Sequence, residues 1–129
     1  MRMIIGCDHA AFQLKETIKK FLVQQGVIVE DVGAVSEESV DYPKFGMQVA
    51  RAISDGSFDR GILLCGTGLG MSMVANRFAR VRAALCNDLF SALMSRRHND
   101  SNLLVLGGRV VGDVLALEIV KTWLQTPFE

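Results

Sequence analysis

The chain has 129 residues, half of them hydrophobic, with fourteen Lys plus Arg balanced by fourteen Asp plus Glu. That length fits one domain over 1–129 with enough apolar residues for a core, and the charge balance argues against a general nucleic-acid binder. No run of eighteen apolar residues offers a membrane span, and Met1-Arg2-Met3-Ile4-Ile5-Gly6 leads into strand-like sequence without signal-peptide character, so a cytoplasmic protein is expected.

In chain order, apolar runs of strand length alternate with segments of helical period. Strands are predicted at 3–7, 27–32, 61–65, 82–86 and 103–106, and helices at 11–24, 43–54, 71–79, 88–97 and 112–124. The strands are continuous apolar runs without period-two alternation, which suits burial on both faces of a parallel sheet. Gly26 stands where a helix takes its C′ glycine, and Pro43 suits a first helical position with Asp41 as cap. The alternation predicts an α/β fold, a three-layer α/β/α sandwich on a five-stranded parallel sheet with right-handed crossovers, Rossmann-like. Ligands in such folds bind at the carboxyl ends of strands, which directs attention to Cys7-Asp8-His9, to Gly33 onward, to 65–72 and to Gly107-Gly108-Arg109.

The sharpest feature is Cys65-Gly66-Thr67-Gly68-Leu69-Gly70-Met71-Ser72, after a buried strand and opening a helix. Alternate glycines let the backbone turn tightly and bring N–H groups to an anion. Known nucleotide loops do not fit. The spacing is G-x-G-x-G, not G-x-G-x-x-G, and no Lys follows Gly70. A cysteine phosphatase needs an Arg six residues beyond its nucleophile, where Met71 stands. What remains is a thiol beside amides that can hold an oxyanion.

The three cysteines, Cys7, Cys65 and Cys86, include no C-x-x-C and form neither a disulfide framework nor a zinc site. Cys7 and Cys86 read as small buried hydrophobes. The two histidines, His9 and His98, lack metal-ligand spacing, so no metal and no cofactor are expected. On its own residues, the segment around His98 is equally readable as a solvated loop. Histidines at loop ends, a thiol and an amide cradle suggest acid–base chemistry on a small anionic molecule.

Taken together, Gly6-Cys7-Asp8-His9, Asp41-Tyr42-Pro43, Cys65-Gly66-Thr67-Gly68-x-Gly70-x-Ser72, Ala75-Asn76, Ser95-Arg96-x-His98-Asn99-Asp100 and Gly108-Arg109 resemble ribose-5-phosphate isomerase type B and its relative galactose-6-phosphate isomerase. The resemblance covers essentially the whole chain. It implies an aldose–ketose isomerase, ribose 5-phosphate to ribulose 5-phosphate, with Cys65 as the base moving a proton between C1 and C2. By the same resemblance, His98 with Thr67 opens the furanose ring. Amides of Gly66, Gly68, Leu69 and Gly70, with Asn99, steady the enediolate. Asp8 and Tyr42 hold sugar hydroxyls, and His9 and Arg109 meet the phosphate. Some members of the family use Cys at the strand end and others a Glu six residues on; Cys65 with Met71 is the cysteine pattern.

A free thiol ionises near ~8.5 and amides beside it favour the thiolate, and each well-aimed oxyanion donor lowers the barrier by about 3–4 kcal/mol. The resemblance also implies a homodimer or homotetramer with shared sites, in which His98, Asn99 and Arg109 approach a neighbour's Cys65 loop. Chains of the family continue past Pro127-Phe128-Glu129 with a Gly-Gly-Arg-His-like segment and a further Arg, so an incomplete phosphate clamp is expected here. The partner is thus a small sugar phosphate, with neither nucleic acid nor membrane. Alternatives are an isomerase of a six-carbon sugar phosphate, such as allose 6-phosphate or galactose 6-phosphate, and a non-catalytic sugar-phosphate sensor.

Overall fold

The computed structural model describes residues 1–33 and 42–129, the side chains of Tyr42 and Pro43 excepted. Its strands are β1 (Arg2–Cys7), β2 (Ile28–Asp31), β3 (Arg60–Cys65), β4 (Ala83–Leu85) and β5 (Leu103–Gly107). Its helices are α1 (Phe12–Gln24), α2 (Tyr42–Ser54), α3 (Leu69–Ala75), α4 (Leu89–Arg97) and α5 (Asp113–Gln125), with a 3₁₀ turn, His9–Ala11, leading into α1. All strand pairs are parallel, in the order β2-β1-β3-β5-β4.

The three central strands are buried on both faces, as their unbroken apolar runs require. Met3, Ile5, Ile62, Leu64, Leu104 and Leu106 pack into one core with residues of α1, α4 and α5. The alternate residues Ile4, Leu63, Leu103 and Val105 pack into a second core beneath α2 and α3. Helices therefore cover both faces, and the α/β/α sandwich expected from the alternation is the fold found.

The edges differ from the expectation. β2 alternates exposed and half-buried residues and β4 is half-buried throughout, because each has a neighbour on one side only. The helix predicted to 79 stops at Ala75, where Asn76 turns its amide onto the edge strand: Ala83 N–H donates to Asn76 Oδ1 at 2.8 Å and Asn76 Nδ2 donates to Ala83 O at 3.0 Å. This pair of bonds occupies backbone groups that an open edge would present. At the other edge, buried Lys15 reaches Asp31 at 2.8 Å and Lys19 reaches it at 2.9 Å. Burial pushes the Asp31 carboxyl up, but bonds from Lys15, Lys19 and the Gly33 N–H outweigh it and hold it below the ordinary range. The proposed Asp41 cap lies outside the described residues.

Cys7 and Cys86 are fully buried. Desolvation pushes the Cys86 thiol up to about 11, so it is an inert core thiol, the small buried hydrophobe expected of it. Among the described residues no helix is long and apolar enough to cross a membrane.

Candidate active site

β1, β3 and β5 lie side by side, and the segments leaving their carboxyl ends enclose a cleft of about 350 Å³ lined by Asp8, His9, Ala10, Cys65, Gly66, Thr67, Gly70 and Arg109. Each wall is fixed by backbone pairing that runs past the strand ends. Asp8 N–H donates to Leu64 O at 3.1 Å, Gly108 N–H to Cys65 O at 2.7 Å and Arg109 N–H to Gly66 O at 2.9 Å. Asp8 also caps the turn that carries His9, its Oδ1 accepting from Ala10 N–H at 3.0 Å. Nδ1 of His9 is buried and, among the described residues, has no hydrogen-bond partner. A buried ring nitrogen in that state is costly unless something enters to meet it.

Cys65 closes β3 and is 6% exposed. Its Sγ accepts the Gly68 N–H at 3.1 Å, an amide aimed at the atom where negative charge would sit. Gly68 holds φ 85°, a left-handed conformation that suits glycine, where the chain turns into α3. Thr67 Oγ1 accepts the Leu69 N–H at 3.2 Å, which leaves its own proton to donate elsewhere.

The Gly68 N–H is thus given to Cys65 Sγ and the Leu69 N–H to Thr67 Oγ1, while Gly66, Thr67 and Gly70 line the cleft. Leu69 itself is 51% exposed and is not among the lining residues.

Arg109 lines its own chain's cleft, with Cδ and Nη1 at 3.5 and 3.6 Å from where a side chain on Gly66 would begin. The missing side chain of Gly66 makes room for it.

His98 and Asn99 stand elsewhere. α4 begins beside the carboxyl end of β4 and runs back, so its C-cap, His98, sits at the amino end of the sheet, exposed. Asn99 lines a separate depression with Asn76, Arg82, Ser95 and Ser101. One chain does not bring these residues to Cys65. Their turn is nonetheless firmly held. Buried Arg96 donates to Thr126 O at 3.1 Å, to Asp100 Oδ1 at 3.0 Å and to Ser101 O, while Trp123 Nε1 and Ser95 Oγ meet Ser101 Oγ, both at 2.9 Å. The side chain of Tyr42 lies outside the described residues.

Sequence reasoning missed Ala10, whose presence in the cleft has no side-chain signal, and the packing role of Gly107 and Gly108, whose doublet was visible. Among the described residues no group of His, Cys, Asp and Glu is arranged to hold a metal ion.

A family model described as Ribose/Galactose Isomerase matches residues 3–129. The chain belongs to the ribose/galactose isomerase family. It is similar to ribose-5-phosphate isomerase B of Escherichia coli (strain K12), 49% identical over 128 residues, which span 99% of this chain and 86% of that one. It is 45% identical over 130 residues to D-erythrulose-4-phosphate isomerase of Pectobacterium atrosepticum, covering 100% of this chain and 86% of that protein. The crystal structure of a ribose 5-phosphate isomerase from Thermotoga maritima matches with a TM-score of 0.95 at 53% identity, covering 98% of this chain and 88% of that one. Like these family members, the chain is a sugar-phosphate isomerase, acting on a small anionic sugar.

Proposed function

We propose that the chain interconverts ribose 5-phosphate and ribulose 5-phosphate, with Cys65 as the proton carrier. The observation that carries this is the Cys65 Sγ, held by the Gly68 N–H in a cleft that also contains Arg109 and His9. Arg109 and the buried Nδ1 of His9 are suited to a phosphate, and charge-assisted contacts of that kind contribute about 1.5–3 kcal/mol each. With the phosphate so anchored, C1 and C2 of the open-chain sugar lie toward Cys65 and Thr67. The Cys65 thiolate removes the C2 proton. The electron pair forms the C1–C2 double bond and the C1 carbonyl becomes an enediolate oxygen. The O2 proton passes to O1, and the thiol returns its proton to C1 to give the ketose. Gly66, Thr67 and Gly70 amides offer the enediolate its donors, and Asp8 holds a hydroxyl.

The remaining parts, His98 for ring opening and Asn99 for the enediolate, come in this reading from a second copy. The distance between the His98 turn and the Cys65 cleft within one chain supports a shared site in a homodimer or a larger homo-oligomer. The E. coli relative's name supports the five-carbon substrate, and the Pectobacterium relative's name favours a second reading, a four-carbon sugar phosphate.

Coupled assays with ribose 5-phosphate, D-erythrulose 4-phosphate and allose 6-phosphate rank the substrates. The five-carbon reading expects the highest kcat/KM for ribose 5-phosphate. Mixing inactive Cys65→Ala and His98→Asn chains tests the shared site. Sites shared between copies regain activity on mixing, whereas sites contained in one chain stay inactive.

A further inference from the structure

We propose that Gly107 is a positioning residue for the isomerase site, setting by its missing side chain where Thr67 and the Gly68 N–H stand relative to Cys65 Sγ. It rests on the proposed role of Cys65. In the β3–β5 ladder Gly107 pairs with Cys65, so it lies at the level where the chain leaves β3 to form the cleft. A Cβ on Gly107 would lie 2.6 Å from the Thr67 carbonyl oxygen, 2.8 Å from its carbonyl carbon and 3.1 Å from its Cα. These are backbone atoms, and no side-chain rotation can relieve them. On the facing loop, a Cβ on Gly68 would meet Leu85 Cδ1, and would stand 3.2 Å from the Leu106 carbonyl carbon and 3.4 Å from Gly107 N. Two side-chain-free backbones thus lie directly against each other.

The reason for glycine is space alone. Gly107 is not among the residues with positive φ, so alanine there adds no backbone strain and acts only by displacing its neighbour. The neighbour is the segment whose amides bond Cys65 Sγ and Thr67 Oγ1. Asn87 Oδ1, at 3.4 Å from Gly107 N, adds a tether to the end of β4. Gly108 makes the corresponding approach on the other side, where its Cβ would stand 3.0 Å from Ala11 Cβ, beneath the turn that carries His9. The glycine doublet therefore spaces the reacting loop from the phosphate loop.

A displacement of about 1 Å at a reacting group costs on the order of 10²-fold in rate. Gly107→Ala should lower kcat about 10- to 100-fold with KM changed less than about threefold, since the anion contacts of His9 and Arg109 are untouched. At fixed neutral pH it should also slow alkylation of Cys65 by iodoacetamide about tenfold, through loss of the amide on the sulfur. Gly112→Ala, where a Cβ meets nothing within 4 Å, is the control and should match the parent in both readouts. Unchanged kcat with an unchanged alkylation rate overturns the proposal, and so does a loss confined to KM. If Gly107→Ala does not fold, Asn87→Ala takes its place, with a several-fold loss in both readouts expected and no change in either overturning it. The alkylation rate reads the geometry directly. If Cys65→Ala kept activity, the base assignment would fall while the positioning of the Cys65 loop would still be measured.

Discussion

The two histidine-bearing turns of this chain are built on opposite plans. At the carboxyl end of the sheet, the turns around His9 and Cys65 are shaped by backbone bonds and by atoms that are missing, and polar groups are left facing the cleft. At the amino end, the His98 turn is knotted by side chains: Arg96, Asp100, Ser101, Ser95 and Trp123 spend their hydrogen bonds on one another and on the chain. At the first, the buried Nδ1 of His9 has no partner among the described residues; at the second, side-chain bonds close the turn and leave His98 and Asn99 exposed. The knot fixes even a left-handed non-glycine residue, Asp100 at φ 48°.

Breaking each end should separate activity from stability. The largest effect is expected from Cys65→Ala, which removes the proposed base and should lower kcat on the order of 10²–10⁴-fold while thermal unfolding stays near that of the parent. A variant keeping more than about a tenth of parental turnover would show that another group is the base. Arg96→Ala attacks the opposite end. It strips partners from Ser101 O, Thr126 O and Asp100, and should cost about 2–4 kcal/mol in chemical denaturation. In that variant, iodoacetamide should still alkylate Cys65 at the parental rate under native conditions; a slowed thiol would mean the two ends are coupled. Trp123→Phe removes one bond of the same knot, Nε1 to Ser101 Oγ, and should cost about 1–2 kcal/mol with kcat preserved.

The smallest effect concerns pH. Asp31 is held below the ordinary carboxylate range in the folded chain. The stability it contributes is therefore present above the unfolded value near ~3.9 and is lost as pH falls through the depressed folded value. Thermal scans from pH 6 downward should show a shallower acid slope in Asp31→Asn than in the parent. Identical slopes would mean that this carboxylate carries no folding linkage. Lys19, held above its usual value chiefly by its bond to Asp31, should lose its contribution only as pH rises through the alkaline range.

Much of this was legible along the chain. Unbroken apolar runs marked β1, β3 and β5, because strands buried on both faces tolerate no polar alternation. β2 and β4 were placed but trimmed at their ends, since edge strands lose pairing that local composition does not report. The glycine loop after Cys65 announced a tight turn at a strand end, yet not which amides bond within the loop; the Gly68 N–H meets the sulfur. His98 and Asn99 followed a recognisable motif, but motif order says nothing of which end of a helix faces the cleft. Ser95, Arg96 and Asp100 of the same motif proved to be scaffold for the turn.

By itself, the sequence determined the alternation of five strands with helices, the glycine-lined turn after β3 and the thiol at its start, because these rest on local periodicity and on what glycine permits. Only the tertiary structure decided the strand order β2-β1-β3-β5-β4. Parallel pairing joins residues far apart in the chain, so no local pattern selects a strand's neighbour. That order puts β5 beside β3, carries Gly107 against Thr67 and Arg109 against Gly66, and leaves His98 at the far end of the sheet.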